Sequence, residues 1–478
     1  MLKKSLLLTT LLFAIFIFYN FTFSQNLVLK KFTKDTLPMV AEEATNKPIN
    51  IISTFSALTF ETGLENEYFQ FDSINRKGSL YIETRVSEII ADKKKRIPLN
   101  IAVVIDRSGS MQGEKMEFAR KAAKDIIDKL AIEDFISIVA YDDEVEIILP
   151  SVHPLKKNEI KSKIDEIKPG GSTNLWGGSE LGYYQVMKKS NPQFINRVLL
   201  ISDGLVNAGL TSARAIKMNV RRFKDENGIT LSTFGVGLDY NEILMTDMAE
   251  TGAGNYYFID SAHKMTAMFE KELDDLLNVA AQNVELTIKL PKGIKIEKVF
   301  PTGSEVKENE MLIKYRDLFE NETKSVLLNF KIDDGITTEL KFISSMRFTD
   351  PVSAQIKILT SINRLKPVND RRIYLTRFNS WVTKQKILFI ANENMEKAMS
   401  QADEGKYDEA LKLIAINKDL LKANIGYMSN NKPLKQMDSV NTAYANELIF
   451  IKNKSREEVK RLQKVNRSQT YKIRNKKQ

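Results

Sequence analysis

Leu99-Asn100-Ile101-Ala102-Val103-Val104-Ile105, running straight into Asp106-Arg107-Ser108-Gly109-Ser110, is the stretch that decides the fold. The first seven residues are apolar except Asn100. They are too few for a helix and too uniformly apolar for a strand with one wet face, so they predict a strand buried on both sides, as in a parallel sheet. Downstream, Phe118, Ala122, Ile126, Ile127 and Leu130 recur at helical spacing and predict a helix over 114–131. Strand and helix then alternate. Strands are predicted at Phe135–Ala140, Val145–Leu149 (an edge strand), Val198–Ile201, Leu231–Val236 and Tyr256–Ile259. Helices are predicted near 157–167, 175–189, 212–227, 241–250 and 263–278. Such alternation means an open α/β domain, a doubly wound and mostly parallel sheet with helices on both faces, assigned here to residues 98–280.

On either side the period becomes two. Leu80, Ile82, Thr84 and Val86 alternate with Tyr81, Glu83 and Arg85; Val284, Leu286, Ile288 and Leu290 alternate with Glu285, Thr287 and Lys289. Residues 281–366 therefore predict a flanking β-sandwich. The strands within 25–97, behind a polar linker, could belong to the same sandwich, which would make the α/β domain an insertion. Residues 367–451 read as helical. Met395, Ala398, Met399 and Ala402 share one face, Glu404-Gly405-Lys406 breaks it, and Tyr407, Ala410, Leu411 and Ile414 continue on a second helix. This is a C-terminal α-helical hairpin with no second copy at a fixed period, so a stacked repeat array is not supported.

The chain has 478 residues and no cysteine, which excludes disulfides, thiolate metal sites, cysteine nucleophiles and a lipoprotein anchor. His153 and His263 are the two histidines, neither in an H-E-x-x-H context. Lys3 and Lys4 precede an apolar run from Leu6 to Phe23, and Thr22-Phe23-Ser24 places small residues before Gln25. Residues 1–24 thus read as an export signal cleaved after Ser24, with an uncleaved N-terminal membrane anchor as the alternative. The rest is expected outside the cytoplasm, in the periplasm, the cell envelope or the medium. Of the net charge of +10, the segment 452–478 carries 11 Lys or Arg against 2 acids, so the body is near neutral. The first part of that basic tail could extend a helix, the last dozen residues are expected to be mobile, and the tail either only aids solubility or contacts an anionic envelope surface. Nucleic acid is not an expected partner of an exported chain.

Chemistry concentrates at the end of the first buried strand, the edge where open α/β sheets bind ligands. Asp106, Ser108 and Ser110 put a carboxylate and two hydroxyls on one tight loop. Thr173 lies in the glycine-rich Gly170-Gly171-Ser172-Thr173-Asn174, and Asp203 lies in Ser202-Asp203-Gly204 at a later strand end. Five hard oxygen donors suit Mg²⁺, with Mn²⁺ or Ca²⁺ also compatible, and disfavour zinc or copper. Ser110 also fits a helix cap. Asp142 and Asp143 read as solvated turn residues, and Asp239 is not assigned as a ligand.

Asp106-x-Ser108-x-Ser110 with Thr173 and Asp203 resembles, in order and spacing, the metal-ion-dependent adhesion site of von Willebrand factor type A domains. The flanking Ile105–Met111, Gly171–Asn174, Leu200–Gly204 and Phe234–Gly237 segments resemble bacterial members. The resemblance is close over about residues 97–280; the β and helical parts more loosely resemble bacterial homologues of inter-alpha-trypsin inhibitor heavy chains. It implies metal-bridged binding of a protein partner with an exposed Asp or Glu. No G-x-S-x-G, P-loop or H-E-x-x-H motif is present, so no catalytic residue is assigned and an enzyme is not expected. Two other readings are an adaptor or co-chaperone for an ATPase complex, and a structural envelope component.

Overall fold

The computed structural model describes residues 50–70, 76–88, 96–300, 305–428 and 431–476. The segment 1–24, expected to be an export signal, and the linker expected after it lie outside these residues. Among the described residues, no helix is long and apolar enough to cross a membrane.

The described residues form three sheets and a helical layer. The strand read first is β5 (Leu99–Asp106), buried along its whole length. Its parallel neighbours are β6 (Phe135–Tyr141) and β8 (Ile195–Ser202), so it lies inside a six-stranded sheet. Beyond β8 come β9 (Thr230–Val236) and β10 (Ala253–Ile259), both parallel; β7 (Val145–Val152) is antiparallel at the other edge, as the sequence suggested. Side chains of a strand point alternately to its two faces. Leu99, Ile101, Val103 and Ile105 accordingly pack under α1 (Glu114–Lys129) and α6 (Met265–Leu277), while Ala102 and Val104 pack under α3 (Leu175–Met187), α4 (Ala213–Asn227) and α5 (Glu242–Thr251). Helix α2 (Lys157–Asp165) adds Ile160 and Ile164 to the first of these cores.

The α/β domain is an insertion in a β-sandwich. One sheet is antiparallel and joins β1 (Ile51–Phe55), β2 (Leu58–Leu64) and β4 (Lys77–Val86), which precede the domain, to β15 (Thr323–Ile332) and β12 (Ile294–Phe300), which follow it. The second runs β13 (Glu305–Lys307), β14 (Glu310–Phe319), β11 (Val279–Lys289), β16 (Leu340–Thr349), β17 (Ile356–Val368) and β3 (Tyr68–Gln70). Phe60, Leu80 and Ile82 face Leu286, Phe342 and Met346 in the core between them. The chain passes from α6 into β11 through Asn278 alone, so domain and sandwich are coupled by a very short joint.

After the short α7 (Arg371–Leu375), α8 (Ser380–Asp403) begins at Asn379, whose side-chain carbonyl accepts from the Trp381 and Val382 amides. Trp381, Val382 and Phe389 pack on Tyr81 and Leu327, on the outer face of the first sandwich sheet. The hairpin with α9 (Tyr407–Ala423) forms as expected, and α10 (Lys432–Ile449) and α11 (Arg456–Arg474) pack on the same α8.

Helix α11 overturns the mobility expected of the last dozen residues, since the helix allowed for the first part of the basic tail runs on to Arg474. Ser455 and Glu458 close a capping box at its start. Four of its cations then meet acids, a carbonyl or a π-face of the body. Lys460 pairs with Asp239 at 2.5 Å, Arg467 with Glu242 at 3.5 Å and with Asp403, and Arg474 with Glu396 at 2.7 Å and with Glu250. The Lys464 ammonium donates to the Tyr240 carbonyl at 3.1 Å and stands 3.5 Å over that ring, where burial pushes its pKa down to about 8. Tyr471 is buried in the α/β core, and its hydroxyl accepts from the Tyr256 amide on edge strand β10 at 3.2 Å. Just past the helix, Lys476 pairs with Glu83 in the first sandwich sheet. These contacts engage Lys460, Lys464, Arg467, Arg474 and Lys476, while Arg456, Arg461 and Lys472 stay exposed.

Truncating the buried ring, Tyr471→Ala, should lower unfolding stability by about 3 kcal/mol, the usual size for a buried aromatic cut to Ala. Urea denaturation checks this; an unchanged midpoint would mean that α11 is not docked in solution.

Candidate metal centre

Three loops meet at the carboxyl edge of the α/β sheet, and each starts where a buried strand stops. Asp106 ends β5, and its carboxylate is buried. It accepts the Ser108 amide at 2.8 Å, the Ser202 hydroxyl at 2.7 Å and, more weakly, the Tyr141 hydroxyl at 3.4 Å. Burial pushes its pKa up to about 6; the hydrogen bonds from Ser108 and Ser202 oppose that rise and the charge of Asp203 adds to it.

Ser108, on the turn that follows, is buried and its hydroxyl oxygen lies 3.2 Å from that of Ser110. The Ser110 hydroxyl in turn donates to Asp203 Oδ1 at 2.7 Å. Ser110 is not the helix cap: α1 starts after Gly113, which has a positive φ and no side chain to cap with. Asp203 is fully buried just beyond β8. Thr173 comes from the second loop and touches the third: a Cβ added at Gly204 would lie 2.8 Å from the Thr173 hydroxyl oxygen. All five residues assigned from sequence therefore sit on three loops that touch one another.

The loops are held by groups that sequence reasoning missed. Asp142 and Asp143 are not merely solvated turn residues. Asp142 accepts Arg107 Nε at 3.1 Å, and its backbone carbonyl accepts the Asn174 amide at 2.8 Å. Asp143 accepts the Ser172 amide at 3.0 Å. Gly171 has φ +51° and a Cβ there would come within 1.7 Å of Asp143 Oδ1, so only glycine fits. Asn207 accepts the Thr173 amide at 2.7 Å and thereby ties the second loop to the third. Ser202, Tyr141 and Asn207 are common residue types with no spacing signal of their own. Lys115, in the first turn of α1, donates to Asp203 Oδ2 and, at 3.2 Å, to the Ser110 carbonyl. Its adjacency to the Ser110 loop was visible, but its reach to Asp203 was not. Asp239 pairs with Lys460 and stays outside the donor set. Neither histidine joins it: His153 Nδ1 lies 3.0 Å from the Asp134 carbonyl and His263 stands edge-on to Phe118.

The donors fit a small hard cation. An ion holding oxygens octahedrally at 2.0–2.1 Å spaces adjacent ligands by about 3 Å. The Ser108–Ser110 and Ser110–Asp203 oxygen pairs, at 3.2 and 2.7 Å, already stand at that spacing. Among the described residues no group of three or more His, Asp or Glu side chains is gathered for a metal, so a site here must draw on hydroxyls as well as on two carboxylates.

Residues 100–271 match the family profile of the von Willebrand factor type A domain. Over 200 residues the chain is 36% identical to YfbK of Escherichia coli, a match covering 41% of this chain and 35% of that protein. It is 30% identical over 220 residues to inter-alpha-trypsin inhibitor heavy chain H4 of Bos taurus, covering 43% of this chain and 24% of the relative. The chain thus spans well under half the length of both. A von Willebrand factor type A structure from Catenulispora acidiphila superposes with a TM-score of 0.64 at 16% identity, covering 83% of this chain and 91% of the other. The ArnB paralog VWA2 from Sulfolobus acidocaldarius gives 0.59 at 17% identity, covering 87% and 99%. At such identities these two superpositions speak for the fold alone.

The Asp106 carboxyl, raised in the folded protein, contributes stability that is full below the unfolded value near 3.8 and lost as pH rises through about 6. In EDTA the melting temperature should therefore fall over that window. Asp106→Asn should remove the fall and stabilise the metal-free protein at pH 7 by about 1–3 kcal/mol. Thermal melts of both proteins across pH decide it.

Proposed function

We propose that the von Willebrand factor type A domain of this chain holds a divalent cation, Mg²⁺ first among candidates, and through it captures an acidic side chain of a protein partner outside the cytoplasm. The domain belongs to a family that often mediates metal-dependent protein binding, and proteins built on it are usually not enzymes. The observation that carries the reading is the convergence of Asp106, Ser108, Ser110, Thr173 and Asp203 from three loops, with oxygens already near ligand-to-ligand spacing.

Each residue has a part. Asp106 and Asp203 would supply negative charge, Ser108 and Ser110 neutral hydroxyl oxygens, and Thr173 a hydroxyl from the second loop. The bound cation supplies positive charge and an exchangeable position for an incoming carboxylate. Ser202 and Tyr141 hold Asp106 in place; Asn207 and Asp143 hold the Thr173 loop. Export rests on Lys3, Lys4 and the apolar run that follows them, which place the partner among periplasmic, envelope or extracellular proteins.

Calorimetry should give one Mg²⁺ or Mn²⁺ per chain, with affinity reduced at least about tenfold by Asp203→Ala. Capture of partners from an envelope extract should be abolished by EDTA and by Asp106→Ala. Capture that persists in both conditions would defeat the metal-bridged reading. Recovery of the intact chain from the cytosol would defeat export.

Lys115 sets a second expectation. Its ammonium neutralises part of the charge on Asp203, so Lys115→Met should tighten divalent binding by roughly fivefold, the equivalent of about 1 kcal/mol for a partly exposed ion pair. Competition against a fluorescent metal chelator measures it. Weaker binding in the variant would show that Lys115 supports the loop rather than competing with the ion.

A further inference from the structure

Between the α/β domain and the sandwich lies a cleft of about 1070 Å³, closed at one end by α8 and α11. Its lining carries eight Lys or Arg against four acids. The cations are arranged rather than scattered. Arg214, Lys217, Arg221 and Lys224 fall at i, i+3, i+7 and i+10 on α4 and so form one stripe along the helix, about 15 Å long. Lys314 and Lys324 stand on the sandwich wall, and Arg474 of α11 joins the lining.

Part of this charge is compensated within the molecule. Lys217 pairs with Asp247 at 2.7 Å, Lys224 with Asp225 at 3.3 Å and Lys324 with Glu322 at 2.6 Å. Arg214 and Arg221 have no carboxylate at ion-pair distance among the described residues. Burial pushes the Lys224 ammonium down, with Arg221 and Arg316 adding to the shift against the opposing pull of Asp225. Like charges on both walls of a partly enclosed space repel through low dielectric, and that cost is relieved when an anion enters.

We propose that this cleft is a second ligand site, separate from the metal loops, and that its ligand is an acidic peptide segment in extended form. The guanidinium groups favour planar carboxylates, which they can hold through two parallel hydrogen bonds. Two further observations select a peptide over a dense polyanion. Asp225, Glu226, Asp247 and Glu250 share the lining, so a ligand charged along its whole length would meet repulsion. Met218, Val306, Leu312 and Phe389 give the same walls apolar patches. An extended peptide spaces its residues by about 3.3 Å and alternates their direction, so acidic and apolar side chains can reach different walls. About five residues cover the stripe.

The test uses the full chain in EDTA, where a metal-bridged carboxylate cannot contribute, so its outcome is independent of the function proposed above. A short fluorescein-labelled peptide alternating Glu and Val should bind by anisotropy, and its Lys–Val counterpart should not. Arg214→Glu with Arg221→Glu, both on exposed positions, should weaken binding at least about tenfold as two charge-assisted contacts turn repulsive. Arg221→Gln should fall between that variant and wild type, and the melting temperature of both variants should stay near wild type. Equal affinity of wild type and both variants, or no binding by wild type, overturns the site. Tripolyphosphate displacing the peptide more tightly than the unlabelled peptide itself overturns the assignment to a peptide.

Discussion

Everything at the three converging loops depends on one electrostatic constraint: a carboxylate carried to the end of a strand that is buried on both faces. β5 packs against helices on each side, so Asp106 enters the interior with no water to solvate it. An ionised carboxylate there needs hydrogen bonds or a cation. The protein supplies some of that from the Ser108 amide and the Ser202 and Tyr141 hydroxyls, yet the pKa still rises to about 6. The second and third loops then follow from the first, since Gly109 donates its amide to the Gly171 carbonyl at 3.2 Å and Ser110 reaches Asp203.

That part of the molecule was legible because buried parallel strands are written as short apolar runs and their carboxyl ends as polar loops. Leu99–Ile105 and Val198–Ile201 announced the sheet, and the fold class of a doubly wound α/β domain with a flanking sandwich and a helical hairpin follows from such runs. The insertion was visible only as a matched period-two rhythm on both sides, because register between β4 and β15 spans more than the whole inserted domain. Asp106, Ser108, Ser110, Thr173 and Asp203 could be singled out because their residue types and order are distinctive. Their supports could not: Asp142 looks like any turn acid until Arg107 and Asn174 are seen to meet it.

The C-terminal helix was misread for a physical reason. Sequence periodicity detects apolar faces, and α11 docks largely through polar ones. Gln463, Lys464, Asn466 and Thr470 are buried beside Tyr471, each with a hydrogen-bond partner or a ring to lie against. Lysine and arginine bury their stems while their heads find carbonyls and carboxylates. A count of charges cannot separate such a face from a solvated tail; only the positions of Asp239, Glu242, Glu250 and Glu396 do that, and they lie far away in sequence.

The contact of Lys476 with Glu83 joins nearly the last described residue to a strand that precedes the inserted domain. Polypeptides emerge from synthesis in order, and domains fold largely as units as they appear. Here the sandwich cannot close until β15 arrives to pair with β4, and the α/β domain lacks its Tyr471 contact on edge strand β10 until α11 is made. These closing contacts are therefore made late. The three loops around Asp106 leave the ribosome long before the strand and helix that frame them, so the order of translation separates the making of the loops from the fixing of their orientation.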